Sequence, residues 1–303
     1  MSDGHEQADE GRDSFATYKE LLREYGFHPS RRLGQNFLLD ASLHRVLVDT
    51  VRPTLDDLVI EVGPGLGFLT RELAGRCRVL AVEVDNRLVQ ILGRELRGLP
   101  DGGSSVRLVH ADVLRRSKLN PDVLDILAEE RAALPPHGRT LMVANLPYSI
   151  AGPLIGELAL LDEPISEMVL LLQLEMAKRL TATHDNRDYG ALTVQLQSSY
   201  DTTFLRKVGS QVFRPRPLVD SAIVHIQART DGCLSRTGEE RRALSGFLRQ
   251  VFSSRRKKLR NAKVLAGVDL AGSELAPLLE LRPDAIEVSA LVELFDEVRK
   301  GSS

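Results

Sequence analysis

The sequence predicts an α/β protein with a mostly parallel sheet, followed by a small C-terminal all-α domain. Three observations predict it. Short apolar runs alternate with helical patterns from about residue 58 to about residue 228, as successive strand–helix–strand units require. A glycine-rich turn, Gly63-Pro64-Gly65-Leu66-Gly67, joins the first of those runs to the first of those helices. Beyond Glu240 the pattern is helical only, with Leu244, Phe247, Leu248, Val251 and Phe252 at helical spacing. With 303 residues, 43% of them hydrophobic, the chain can bury one large core and a small appendage. The expected divisions are a disordered or loosely ordered extension over 1–29, an α/β domain over 30–229 and a helical domain over 239–303. The polar stretch Thr230 to Glu240 reads as a linker.

The elements follow in order. Leu58 to Val62 is a short apolar strand that runs into the glycine turn, and a helical pattern continues from Phe68 to Ala74. Glycines at such a turn let the backbone approach a ligand closely and leave helix N-terminal amides available. A dinucleotide fingerprint needs its third glycine at position 68, where Phe68 stands. The Gly-x-Gly-x-Gly spacing suits a cofactor without a pyrophosphate, such as S-adenosylmethionine, although a purely structural turn would read the same way. The second strand, Arg78 to Glu83, ends on an acid twenty residues past Gly63, where a carboxylate holds ribose hydroxyls in this architecture. The third, Val106 to Val109, leads into His110-Ala111-Asp112, and Asp112 is placed to accept from a cofactor amino group. Either carboxylate alone reads as a solvated strand end; in series with the glycine turn they read as a binding site.

A fourth strand, Thr140 to Val143, opens into Ala144-Asn145-Leu146-Pro147-Tyr148. The exocyclic nitrogen of adenine is a poor nucleophile because its lone pair is delocalised into the ring. Two acceptors, the Asn145 amide oxygen and the Leu146 carbonyl, would draw it towards a pyramidal, attacking geometry. Tyr148 would stack on the base and stabilise the positive charge that develops as a methyl group arrives. Without its context the stretch is an ordinary turn with an Asn cap. After three strands that end in a glycine loop, an acid and an acid, the order is that of a Rossmann-like class I methyltransferase.

Residues Met1 to Asp13 are polar and acid-rich, which fits neither a signal peptide nor an anchor. No apolar run approaches the about 18 residues that a membrane span needs. Cys77 and Cys233 lie far apart and outside any metal-ligand spacing, so neither a metal site nor a disulfide is expected, and a reducing cytoplasm fits them best. The net charge of −2 argues against a polyanionic partner only if the basic residues are spread evenly. They are not: Arg255-Arg256-Lys257-Lys258-Leu259-Arg260 is a dense cationic run, with smaller groups at Arg31-Arg32, Arg206-Lys207 and Arg214 with Arg216. Such a patch can grip a phosphate backbone while acidic surface elsewhere keeps the sum near zero.

The motifs taken together resemble one family. Leu33-Gly34-Gln35-Asn36-Phe37-Leu38 is similar to the N-terminal signature of the KsgA/RsmA ribosomal RNA adenine dimethyltransferases, and Val59 to Thr70 to their cofactor motif. The likeness continues through Asn145 to Tyr148, Leu172-Gln173 with Glu175, Tyr189-Gly190, Phe213-x-Pro215-x-Pro217 with Val219-Asp220-Ser221-Ala222, and Arg255-Arg256-Lys257 with Leu259-Arg260-Asn261. It implies that Asn36, Leu38, Gly63, Glu83, Asp112 and Asn145 contact S-adenosylmethionine. It also implies that Tyr148 and Phe213 sandwich a flipped adenine, on a loop stiffened by Pro215 and Pro217. The run Arg255, Arg256, Lys257, Lys258 and Arg260 would hold RNA. The implied reaction is dimethylation of two adjacent adenosines in the 3'-terminal hairpin loop of 16S rRNA within a pre-30S particle, by a monomer. Methyl transfer would be direct, because no cysteine lies in these motifs to act as a nucleophile.

Three departures limit the likeness. Leu174 stands where the family has Lys in Leu-Gln-Lys-Glu, Arg216 and Leu218 alter the Phe-x-Pro-Pro-Pro-Lys loop, and the acidic tail is unmatched. Two other readings stay open. One is a resistance-type methyltransferase acting on 23S rRNA, which shares the fold and catalytic loop. The other is a non-catalytic ribosome-assembly or transcription factor, disfavoured by the intact Gly63, Glu83, Asp112, Asn145 and Tyr148.

Overall fold

The computed structural model describes residues 14–30, 33–231, 233–268, 270 and 272–300. The acidic stretch Met1 to Asp13 and the pair Arg31-Arg32 lie outside the described residues. In chain order the elements are α1 (Ser14–Glu24), β1 (Phe37–Leu38), α2 (Ala41–Val51), β2 (Leu58–Val62), α3 (Phe68–Leu73), β3 (Arg78–Glu83), α4 (Asn86–Leu96) and β4 (Val106–His110). There follow β5 (Leu114–Arg115), β6 (Lys118–Leu119), α5 (Pro121–Ala132), β7 (Thr140–Asn145), α6 (Ala151–Leu158), β8 (Glu167–Gln173), α7 (Leu174–Leu180) and α8 (Ala191–Gln197). The last are β9 (Tyr200–Val208), β10 (Phe213–Arg214), β11 (Ser221–Ala228), α9 (Gly238–Phe252) and α10 (Val288–Lys300).

The chain forms two compact units. The first takes residues up to Val113 with Asp122–Pro147 and Val208–Asp220. Its strands lie in the order β4-β3-β2-β7, all parallel. Every residue of β2 is buried, as are five of the six in β3 and in β7. Parallel strands covered on both faces demand this, which is why they read as unbroken apolar runs instead of alternating ones. The helices between them are fixed at their starts. Asp40 accepts from the Leu43 amide ahead of α2, and Asp85 from the Arg87 amide ahead of α4, each satisfying an amide that the helix leaves unpaired. On α4, Leu88, Ile91, Leu92 and Leu96 are buried on one stripe. Each such leucine contributes about 1.5–3 kcal/mol by leaving water.

The second unit takes Leu114–Pro121, Tyr148–Lys207 and Ser221 onwards. Within it β11 pairs antiparallel with β8, from Ser221↔Gln173 to Gln227↔Glu167, and β9 lies beside β11. The helix α9 opens with a reciprocal cap in which Thr237 accepts from the Glu240 amide and Glu240 accepts from the Thr237 amide. Between 239 and 300 the described residues hold α9, α10 and short 3-10 turns but no strand, as the apolar spacing required.

Two expected divisions need correction. Residues 14–24 form a regular helix, and Tyr18, Leu21 and Phe27 are buried with Phe37, Leu66, Leu88 and Ile91, so the extension expected over 1–29 is ordered from Ser14. The apolar residues of α1 supply the reason: their ring and leucine faces leave water together. The boundary expected at about 239 does not separate compact bodies either. Leu244, Phe247, Leu248, Leu291, Leu294 and Phe295 share one hydrophobic cluster with Ala182, Tyr189 and Val194.

Candidate functional site

The glycine turn after β2 owes its shape to positive φ at three positions: 72° at Gly63, 60° at Gly65 and 80° at Gly67. Side chains are excluded there as well. A Cβ on Gly63 would lie 3.2 Å from Pro147 Cγ, and one on Gly65 would lie 2.9 Å from Phe37 Cε1. The turn is thus pressed between the Asn145-Leu146-Pro147 stretch and the Asn36-Phe37-Leu38 stretch of the same unit.

Glu83, at the C-terminal end of β3, is buried and held by main-chain donors. The amides of Val84 and Asp85 each donate to its Oε1 at 2.9 Å, and the Gly65 amide to its Oε2 at 3.1 Å. Burial pushes this carboxyl up, while the three amides pull back towards the ionised form. A carboxylate accepts at about four lone-pair sites, so acceptor capacity remains for a hydroxyl pair. The Arg87 guanidinium, followed by Gln35, holds Asp85 down at about 2, and the Gln35 amide donates to Asp85 Oδ2 at 3.0 Å. Asp112, beyond β4, is exposed and engaged in an interaction of its own.

Asn145 ends β7, half-buried. Its Nδ2 donates to the main-chain carbonyl of Asn36 at 3.1 Å. A carbonyl only accepts, so the amino end of the amide must face Asn36, and Oδ1 is left as an acceptor. The Asn36 side chain is turned elsewhere, donating to the Gly34 carbonyl at 3.0 Å. Its contribution to Asn145 is therefore made through the backbone. The Leu146 side chain is buried. Tyr148 begins the second unit, half-buried, with its hydroxyl 2.7 Å from Ser221 Oγ.

Phe213 departs from expectation. It is fully buried, at 0% exposure, and its backbone in β10 pairs with Leu38 in β1. In this arrangement the ring has no exposed face, and the backbone of Phe213 ties β10 to β1. Pro215 and Pro217 follow it, and Leu218 is fully exposed.

The basic run lies in the turn after α9. Three of its cations are already engaged: Arg255 with Asp284 at 3.2 Å, Lys258 with Glu280 at 2.7 Å, and Arg260 with Glu280 at 2.5 Å. Arg256 and Lys257 are exposed and have no carboxylate partner among the described residues. Sequence reasoning did not single out Asp85, and it named Gln35 and Glu61 only as members of motifs, without a role of their own. Glu61 is buried near the C-terminal end of β2 and accepts from Thr70 Oγ1 at 2.8 Å. Its position on an otherwise apolar strand, ahead of the glycine turn, was the available signal.

Among solved structures, the chain aligns with a dimethyladenosine transferase from Plasmodium falciparum at a TM-score of 0.70 and 21% identity, over 87% of this chain and 97% of that one. It aligns with the 23S rRNA methyltransferase ErmE at 0.58 and 26%, over 87% and 99%. The fold is that of a Rossmann-like class I methyltransferase. The model of the family "Ribosomal RNA adenine dimethylase" matches residues 26–271. Ribosomal RNA small subunit methyltransferase A of Geobacillus thermodenitrificans is 38% identical over 244 residues, 80% of this chain and 78% of that one. The protein of the same name from Listeria monocytogenes is 37% identical over 285 residues, 94% of this chain and 89% of that one. The chain belongs to the ribosomal RNA adenine dimethylase family.

Proposed function

We propose that this protein transfers methyl groups from S-adenosylmethionine to N6 of two adjacent adenosines in the 3'-terminal hairpin loop of 16S rRNA. It does so as a monomer, in the cytoplasm, on a pre-30S particle. The observation that carries the chemistry is the fixed amide of Asn145, which presents Oδ1 as an acceptor at the end of a buried parallel strand. The relatives from Geobacillus and Listeria, named as small-subunit enzymes, support 16S over 23S rRNA.

The residues fit the donor. The three glycines let the turn take its positive-φ path ahead of α3, and Glu83 retains acceptor capacity for a ribose. Gly63, Glu83, Asp112, Asn36, Leu38 and Asn145 would hold S-adenosylmethionine, which supplies an electrophilic methyl carbon when bound. The chain's own work is on the amino group of the target. Asn145 Oδ1 and the Leu146 carbonyl accept its two hydrogens and draw the nitrogen lone pair out of conjugation. An amide does this without placing a negative charge beside a cationic donor. Tyr148, with its ring held by the bond to Ser221, stacks on the base and offsets the cost of unstacking it from RNA. The methylated nitrogen is acidic enough to release its proton to water, so no strong base is required. Arg256 and Lys257 meet the phosphate backbone.

The test is transfer of labelled methyl from S-adenosylmethionine to immature small and large ribosomal subunits, with the modified adenosines mapped. Label is expected in two adjacent adenosines of the small subunit; label only in the large subunit would overturn the assignment. Asn145→Ala should cost about 100-fold or more in turnover with RNA binding retained.

A further inference from the structure

The helix α1 lies ahead of the residues matched by the family model, which begin at 26. It is not a loose appendage. Tyr18 and Phe27 both pack on Phe37, with ring centroids 5.9 Å and 6.2 Å away. Phe37 in turn lies against Gly65, so closely that a Cβ there would come within 2.9 Å of the ring. Leu66, inside the glycine turn, belongs to the same buried cluster as Tyr18, Leu21 and Phe27.

Further contacts tie this segment to the elements around the turn. Tyr25 donates from its hydroxyl to Glu95 on α4 at 2.8 Å, and Glu95 also pairs with Arg71 on α3 at 2.7 Å. The Arg87 guanidinium lies 4.9 Å over the Phe27 ring, and that of Arg214 lies 5.1 Å over the Phe15 ring. Phe37 is also the residue that follows Asn36, whose carbonyl receives the Asn145 amide. The Phe37 side chain and the Asn36 carbonyl sit on either side of one Cα, so the packing of the Phe37 ring, together with the pairing of Phe37 with Arg214 in β1–β10, limits how far that peptide can turn.

We propose that α1 is a positioning element for methyl transfer: Tyr18, through the Phe37 ring, holds the Asn36 carbonyl where it orients the Asn145 amide. Tyr18 touches neither substrate nor cofactor in this account and acts through Asn145, so the inference rests on the reading of Asn145 given above. Removing the Tyr18 ring takes away one of the two aromatic rings packed on Phe37, which gives the Phe37 ring more room to shift and the Asn36 carbonyl more room to turn. The Asn145 amide then samples orientations that present Nδ2 instead of Oδ1 to an amino group, and two donors facing each other do not react.

The experiment uses the full chain with Tyr18→Ala, Tyr18→Phe and Asn145→Ala. Turnover is measured at saturating S-adenosylmethionine and saturating small-subunit RNA substrate. Solvent exchange of the Asn145 side-chain amide is followed by NMR, with its resonance identified by its loss in Asn145→Ala. Tyr18→Ala should lower kcat by about tenfold and speed amide exchange by about tenfold, with KM for RNA unchanged. Tyr18→Phe, which keeps the ring, should restore both. A folded Tyr18→Ala with normal kcat and normal exchange would overturn the proposal. So would a loss of kcat that tracks a lower melting temperature while exchange stays unchanged. If Tyr18→Ala does not fold, Tyr18→Leu carries the same measurements with the same two outcomes. Near-normal turnover of Asn145→Ala would instead defeat the reading of Asn145, and the exchange rates would still decide whether Tyr18 orients that amide.

Discussion

Glu61 shows what a single residue can carry unseen. It is an acid on a strand buried along its whole length, and burial pushes its carboxyl from 4.5 up to about 8. A carboxyl raised by folding keeps its proton in the native chain across that window, while the unfolded chain has already released it. Stability contributed here is therefore present below about pH 4.5 and is lost as the pH rises through about 8. Glu61→Gln keeps the shape and the Thr70 bond but removes the titration. Its unfolding midpoint should decline less than that of the wild type between about pH 5 and pH 8; parallel curves would refute the account. The same scale explains what was readable. Asn145 and Glu83 each end a strand, where spacing had placed them. Phe213 was assigned to the base because exposure is not written in the residue itself. The structure buries it completely.

At the scale of elements, the join between the glycine turn and α3 is the most constrained. Gly67 precedes α3 at φ 80°, and a Cβ there would lie 2.4 Å from Leu92 Cδ1 on α4. Leu92 is fully buried, so its methyl has nowhere to go. Gly67→Ala is expected to destabilise the protein by about 2 kcal/mol or more in urea unfolding, from backbone strain and overpacking together. A loss under about 0.5 kcal/mol would show that the turn can relax. The glycine turn between β2 and α3 was legible from its spacing, but not the reason for its third glycine, since Leu92 lies far along the chain. The helix α1 was missed although Phe15, Tyr18, Leu22 and Tyr25 keep a helical period. Its acid-rich neighbour at Met1 to Asp13 lowered the apolar content of the whole stretch and drowned that period.

For the molecule as a whole, the net charge of −2 conceals an uneven distribution. Intramolecular pairing then redistributes it once more, because Glu280 alone engages both Lys258 and Arg260. The expected RNA grip narrows to Arg256 and Lys257. Replacing both by Ala should weaken RNA binding about tenfold and reduce the slope of log affinity against log salt by about 2. Arg260→Ala should do less, since Glu280, which Arg260 shares with Lys258, offsets part of its charge. Titrations of both variants at several salt concentrations decide this, and an unchanged slope in the double variant would place the RNA contact on another surface. No helix among the described residues is long and apolar enough to cross a membrane.

By itself the sequence determined the order of buried strands, the glycine turn and the placing of Glu83 and Asn145 at strand ends, because periodicity and spacing are local and a parallel sheet brings its C-terminal strand ends together. Only the tertiary structure decided which groups face one another: the Asn36 carbonyl that orients Asn145, the burial of Phe213, the pairing of three of the five cations, and the packing of α1 on the glycine turn. Those facts depend on residues tens of positions apart meeting in space. Burial and hydrogen-bond direction are properties of that meeting, and no single segment encodes them.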